Sequence, residues 1–447
     1  MDPTGLLPSF GGLAFTIVAF VVALSIIVAV HEFGHYIVGR WSGIKAEVFS
    51  LGFGPRLVSR VDRHGTRWQI AAIPLGGYVK FLGDANAASA SADPEAMAHL
   101  SSDEKRHTMH GAPLWARAAT VAAGPAFNFA LSILVFAGIF MVSGFATDRP
   151  SVGALKPLPQ VVAGVEPGDV ILAVEGRPTP DYTALSEVIE TLPSAPRMTY
   201  LVDRDGREIE VEGPALFPPR FDNVAPGSAA MDIGLERGDV VLEAGGQPIN
   251  TFADLQTVVK AAEGSAVLMT VWRAGREPFE VALVARETDL PTADGGFETR
   301  YLIGVGGDFF FDPETRVPGA LEALTAAADQ TWAIIRAQVS GLWHMIIGAI
   351  SSCNLRGPIG IAETSGAVAS QGLSDFIWFI AVLSTAIGLL NLFPIPVLDG
   401  GHLVFHAWEW ATGKPPSQGV LNVLMTMGLV LILGVMALGL TNDLFCP

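Results

Sequence analysis

The sequence predicts a polytopic α-helical membrane protein of four transmembrane helices, interrupted by an inserted pair of α/β domains that lie outside the bilayer. Half of the 447 residues are hydrophobic and 16% are charged, which is too apolar on average for a soluble chain. Four segments, Leu13 to Tyr36, Ala118 to Val142, Phe376 to Leu392 and Gly419 to Leu440, have the apolar length of about 20 residues that a bilayer core of about 30 Å demands. The third reaches that length from Leu373. Charge is unevenly spread: Ser143 to Ala320 holds 28 acidic and 14 basic side chains, so a soluble acidic module lies between the second and third spans.

Each element follows in order. The first span lacks the basic leader and small-residue cleavage site of a signal peptide, so it reads as an anchor. No Lys or Arg precedes Arg40, whereas Arg40, Lys45, Arg56, Arg60, Arg63 and Arg67 follow the span closely. The positive-inside rule then places that loop in the cytoplasm, and the N-terminus, the acidic module and Pro447 on the extracytoplasmic side. A formal charge of −17 argues against a nucleic-acid partner.

Within the acidic module, EPGDVILAVEGRPTPDYTALSEVIE from Glu166 recurs 70 residues later as ERGDVVLEAGGQPINTFADLQTVVK from Glu236, with 9 of 25 positions identical. Each copy reads as a Gly-Asp turn, an apolar strand, a second turn and an amphipathic helix with Leu185 and Val188, or Leu255 and Val258, inward. The pattern resembles PDZ domains of the bacterial periplasmic kind, which bind peptide termini by strand addition. Only the second copy has the Gly227-Ser228 turn that resembles a terminus-receiving loop. The expected boundaries are 1–145 for the first two spans, 146–216 and 217–290 for the repeats, 291–370 for a connector, and 371–447 for the last two spans. The connector contains a helix over Leu321 to Ile350 whose tryptophans and polar residues suit the outer membrane interface. A fifth span is the alternative.

The chemistry centres on His31-Glu32-Phe33-Gly34-His35 at the end of the first span. Residues four apart share a helix face, so both imidazoles can address one ion while Glu32 reaches water beside it. Two histidines and an acid near bilayer depth are costly unless they pair or bind something. A catalytic zinc site takes three protein ligands and keeps one position open, so a third ligand is needed. Asp399, in Asn391-Leu392-Phe393-Pro394-Ile395-Pro396-Val397-Leu398-Asp399-Gly400-Gly401-His402, is the best placed, at the same cytoplasmic side as His31. His402 ranks second, because a Gly-Gly interruption leaves its direction open. Cys353 and Cys446 are too few and too far apart in sequence to suggest a disulfide framework or a cysteine zinc site.

Trp68 to Phe81, with Gly76, Gly77 and Tyr78, reads as a β-hairpin or re-entrant loop that could offer a strand edge to an unwound substrate. Asn391 could hydrogen-bond the same substrate backbone or cap its own helix. Asn128, in the second span, reads as a helix-packing residue.

HEFGH, FGPRL, IPLGGYVKFLGD, AAGPAFNFALS, the tandem repeat and NLFPIPVLDGGH, in this order over nearly the whole chain, resemble the site-2 protease family of intramembrane zinc metalloproteases, in its regulator-of-sigma-E branch. The resemblance implies Zn2+ held by His31, His35 and Asp399, with Glu32 as general base. It also implies a bacterial inner-membrane location, and substrates that are single-span membrane proteins such as anti-sigma factors or remnant signal peptides. In this family a loop like the one at Gly76 to Tyr78 clamps extended substrate. The alternative is a non-catalytic membrane scaffold that holds partners through the PDZ-like pair. Glu32 argues against it, since a structural metal site needs no base.

Overall fold

The computed structural model describes residues 12–85, 93–159, 164–292 and 296–446. The two chain ends, Met1 and Pro447, whose side of the membrane was expected from charge, lie outside the described residues. The chain divides into two compact units, one formed by 1–139, 320–348 and 352–446, the other mainly by 140–319.

In the first unit, α1 (Leu13–Trp41) leads into two long strands, β1 (Ala46–Val61) and β2 (Arg67–Phe81), and then α2 (Leu114–Ser143). After the second unit come α3 (Ala320–Ile346), α4 (Pro358–Gln371), α5 (Leu373–Asn391), α6 (Asp399–Thr412) and α7 (Gln418–Phe445). Among the described residues, α1, α2, α5 and α7 are the helices long and apolar enough to cross a bilayer. The amphipathic α3 is not one of them. It buries Ala323, Ala327 and Thr331 and exposes Trp332, Val339 and Trp343.

Lipid offers helices no hydrophobic drive to associate, so small and polar residues join them. α1 buries Ala19, Ala23, Ile27, His31 and Gly34 along a single stripe. Between α2 and α5, the Ser132 hydroxyl donates to the Ala381 carbonyl at 2.8 Å, and that of Ser384 to the Asn128 carbonyl at 2.9 Å.

β1 and β2 double over each other: Phe49 pairs with both Val79 and Trp68, while Val61 pairs with Arg67. Residues 48–51 pair with 67–70 in the same order and with 77–80 in the reverse order, so the stretch Trp68 to Phe81 does reverse direction, but as a re-entrant loop whose two arms hold Ala46 to Leu51 between them and not as a hairpin paired with itself. The reversal falls at Pro74 to Gly76, between the pairs Phe53 with Ile73 and Leu51 with Gly77. The turn between β1 and β2 is tied by Asp62, whose carboxylate accepts from the amides of His64 and Thr66, from Trp68 Nε1 and from the Tyr36 hydroxyl. Burial opposes ionisation of Asp62, but these donors outweigh it and hold the carboxyl down at about 2. The turn is thereby fastened to Tyr36 of α1.

In the second unit the two sequence repeats fold alike. Each has a four-stranded sheet, ordered 177–178, 170–174, 197–204, 207–214 in the first and 247–248, 240–244, 266–272, 279–284 in the second. Helices Tyr182–Ile189 and Phe252–Ala261 cover them and bury Leu185 and Leu255. The likeness extends to an ion pair whose arginine lies beyond the matched stretch: Arg204 grips Asp169 with two nitrogens at 2.7 Å, and Arg273 grips Asp239 at 2.6 and 2.7 Å. The chain after the second repeat then returns past both. Val305–Gly306 pairs with Asn223–Val224, Phe311–Pro313 with Val152–Leu155, and Thr315–Arg316 with Phe145–Ala146. Lys156, only 6% exposed, contacts Asp308 at 2.6 Å and Asp222 at 3.3 Å. These contacts tie both repeats to the returning segment.

Contrary to the sequence reading, Cys353 and Cys446 form a disulfide, with Cα atoms 5.7 Å apart across 93 residues of sequence. Helix packing brings them together: Asn442 donates to the Ser352 and Leu355 carbonyls, and Asp443 accepts the Gly357 and Ile359 amides at the start of α4. Protein denatured without reductant is expected to show no free thiol and, after reduction, two. Cys446→Ser should cost about 2–4 kcal/mol of stability, read as a lower melting temperature. A free thiol in unreduced protein would disprove the cross-link.

Candidate metal centre

α1 carries His31 and His35 one turn apart, with Glu32 between them. α6 begins at Asp399 itself, so the following Gly-Gly is the first turn of a helix and not the loop its sequence suggests. The glycines are needed there. A Cβ on Gly400 would overlap the carbonyls of Leu392 and Phe393, and one on Gly401 the carbonyl of Ile395. Stripped of side chains, the helix start packs onto the preceding turn and delivers Asp399 to the histidines. Its position at a helix N-terminus also favours a negative charge.

The three donors converge. His31 Nε2 and His35 Nε2 are 3.1 Å apart, and Asp399 Oδ2 lies 3.2 Å from the first and 3.4 Å from the second. A tetrahedral zinc ion with bonds of about 2.0–2.1 Å holds its ligands about 3.3 Å from one another. The donors thus already lie at the spacing that a shared ion would impose. Among the described residues, these three form the one group able to hold a metal. Asp399 Oδ2 is buried and has no partner of hydrogen-bonding geometry, which is costly for a carboxylate unless a cation completes it.

The surroundings fit the same purpose. The Nδ1 of His35 lies 2.8 Å from the Thr120 carbonyl, which as an acceptor fixes the ring proton there and leaves Nε2 free for a metal. Gly124 of α2 sits directly against both rings, where any Cβ would overlap His35 Nε2 and crowd His31 Cε1. Asn128, read from the sequence as packing, places its amide nitrogen 3.2 Å from His31 Nδ1. Thr120, Gly124 and Asn128 escaped a metal reading because spacing along α2 says nothing about which helix it faces. Arg117 of α2 holds Glu409 of α6 through two nitrogens at 2.6 and 3.0 Å, tethering the helix that carries Asp399.

The centre opens into a cavity of about 690 Å³. Gly77 and Tyr78 line it, as do His31, Glu32, His35 and Asp399, whereas Gly76 and Asn391 do not. Asn391 is the last residue of α5 and is half-buried. Gly77 lies against Glu32, and the neighbouring Val79 amide hydrogen-bonds the Glu32 carboxylate. His402 and His406 line the wall beyond the three donors. Burial pushes both imidazoles down, His406 to about 4 with help from Arg117, so both are neutral at physiological pH. In the second unit, the Ser228 hydroxyl caps the short helix Ala229–Asp232, and the Gly227 carbonyl accepts from Arg286.

Two histidines and a glutamate on a helix long and apolar enough to cross a bilayer, with a carboxylate brought to them, are the arrangement expected of an intramembrane metallopeptidase. Sequence comparison agrees: the description of peptidase family M50 matches residues 19–435, and the chain belongs to this site-2 protease family of zinc metalloproteases. It is 32% identical to the regulator of sigma-E protease RseP of Escherichia coli K12, over 95% of this chain and 97% of that one. The protease of the same name from Salmonella typhimurium 14028s is likewise 32% identical, over 96% and 98%. A protein of Agrobacterium fabrum, provisionally named a zinc metalloprotease, is 34% identical over 99% of this chain and 98% of its own. The protein is thus a multi-pass membrane zinc metalloprotease.

If Asp399 is the third ligand, Asp399→Asn should lower the zinc content of purified protein at least about tenfold, because an anionic ligand is lost, whereas His402→Ala should keep its zinc. Elemental analysis per chain reads both. Equal retention in the two variants would remove Asp399 from the centre.

Proposed function

We propose that the protein cleaves the transmembrane segments of single-span membrane proteins, such as anti-sigma factors or remnant signal peptides, at an inner-membrane site that opens toward the cytoplasm. The observation that carries this reading is the triangle of His31, His35 and Asp399 at ligand spacing, with Glu32 on its rim.

In this reading His31, His35 and Asp399 hold Zn2+, which when bound polarises the scissile carbonyl and makes water more acidic. Glu32 takes the proton from the attacking water and passes it to the departing amine. The Val79 amide orients the Glu32 carboxylate for that task. Buried, neutral His402 and His406 give the cavity polar walls without adding charge. A substrate helix conceals its carbonyls in its own hydrogen bonds, so it must unwind and find new partners. The stretch Gly76, Gly77 and Tyr78 of β2 supplies an edge for the extended segment. Asn391, at the end of α5, would assist from outside the cavity.

Orientation draws on two independent features. The basic loop after α1 favours the cytoplasm, and a disulfide at the far end of α7 favours an oxidising, extracytoplasmic compartment. Chain order then puts both α/β repeats outside as well. We read them as PDZ-like domains that filter substrates and receive peptide termini near Gly227 and Ser228. Recognition there has to work beside the hydrogen bonds those residues already make.

Glu32→Gln should retain zinc and lose cleavage by about 100-fold or more, with a truncated single-span protein accumulating in membranes that carry it. Full cleavage by that variant would remove Glu32 as the base. The filter is tested separately. Phe145 and Arg316 are paired neighbours, so a short linker can replace everything from one to the other. The shortened protein should keep its zinc and cut full-length substrates that the complete protein spares. Loss of all cleavage with zinc still bound would show instead that the repeats deliver substrate.

A further inference from the structure

Asn128 faces His31 from α2. It is fully buried on α2, and its backbone carbonyl accepts hydroxyls from Ser132 at 3.0 Å and Ser384 at 2.9 Å. Gly388 of α5 abuts its Cβ, so the residue is held on two sides. Its side-chain nitrogen lies 3.2 Å from His31 Nδ1, and its Oδ1 is buried with no hydrogen-bond partner.

An amide nitrogen only donates, so this arrangement suits a ring whose Nδ1 is bare and whose proton sits on Nε2. A ring in that tautomer cannot offer Nε2 to a metal. For His31 to do so, the proton must move to Nδ1, and the group facing it must become an acceptor. The two ends of an amide have nearly the same shape, so half a turn about the last side-chain bond brings Oδ1 to that place. Either way one end of the amide remains unpartnered, so the position of the ring proton decides which end faces Nδ1. His35 has no such choice, because its Nδ1 faces a backbone carbonyl.

We infer that Asn128 is the positioning residue of His31: its Oδ1 accepts the Nδ1 proton when metal is bound, and the amide turns over as the ring changes tautomer. This rests on the proposed ligand role of His31 and extends it to a neighbour.

The test uses the full chain in detergent, in a Glu32→Gln background that removes turnover, with zinc affinity measured against a chelator of known strength. The background protein should bind one zinc ion and lose it on His31→Ala. If it does not, the ligand reading itself fails. Given that it does, Asn128→Leu, of similar volume but without an acceptor, should weaken zinc binding about 10–100-fold. Asn128→Asp, which offers oxygen in either orientation, should stay within about threefold of the background. Zinc held equally tightly by the leucine variant would overturn the inference, as would equal weakening by leucine and aspartate. Should the leucine variant not accumulate, Asn128→Ala loaded with cobalt(II) decides: an altered visible spectrum is expected, and an unchanged one overturns the assignment.

Discussion

Holding three electron-rich atoms about 3 Å apart in a largely buried site is the constraint around which the rest of this structure is arranged. Two imidazole nitrogens and a carboxylate oxygen at 3.1–3.4 Å lie where a shared cation would bring them, and a cation between them offsets the cost of burying the carboxylate. Three separate helices meet there, and two of them do so through missing side chains. Gly124 lets α2 press on both rings, and Gly400 and Gly401 let α6 begin against its own preceding turn. Gly77 likewise lets β2 approach Glu32. The polar contacts between α2 and α5, and the Arg117–Glu409 pair, keep that convergence from relaxing.

The histidine pair and its glutamate were legible in the sequence because helix periodicity is local: four residues apart is one face wherever the helix lies. Asp399 was legible for a different reason, as the only carboxylate set between an apolar residue and two glycines in the NLFPIPVLDGGH stretch. What those glycines do was not. Read as chain-breakers, they are the opening turn of a helix, and this fixes where His402 points. Cys353 and Cys446 failed as a disulfide on sequence separation alone, since nothing local says that the end of α7 meets the segment before α4. The repeats were visible from their 70-residue offset, but the Arg204 and Arg273 grips that match between them sit 69 residues apart and fell outside the aligned stretch. The strands from Val305 to Arg316 are two or three residues long, too short for alternation to announce them.

The least legible part of the centre is its support. Ligand identity follows from chemistry, whereas the partners of a ligand's second nitrogen depend on which helix face turns inward. Thr120, Gly124 and Asn128 occur at spacings of four along α2, a stripe that any packed helix shows. Only the fold reveals that this stripe lies against α1 at the level of His31 and His35. The same holds for Asp62. In sequence it is one acidic residue in a basic loop, but its four donors fasten the turn between β1 and β2 to Tyr36, one helical position beyond His35.

That fastening bears on how the proposed base and the proposed substrate strand act together. β2 meets the centre at Gly77 to Val79, where one residue lines the cavity against Glu32 and another lends its amide to the Glu32 carboxylate. A strand that both orients the base and offers its edge to an unwound peptide couples the two by geometry. Displacing β2 would misplace the peptide and loosen the base in one movement. The base is therefore best ordered when the strand lies where a substrate needs it, and water is least well activated when the strand is out of place. An intramembrane peptidase has reason to favour such an arrangement, since a substrate span that has not yet unwound onto the edge offers no carbonyl to attack.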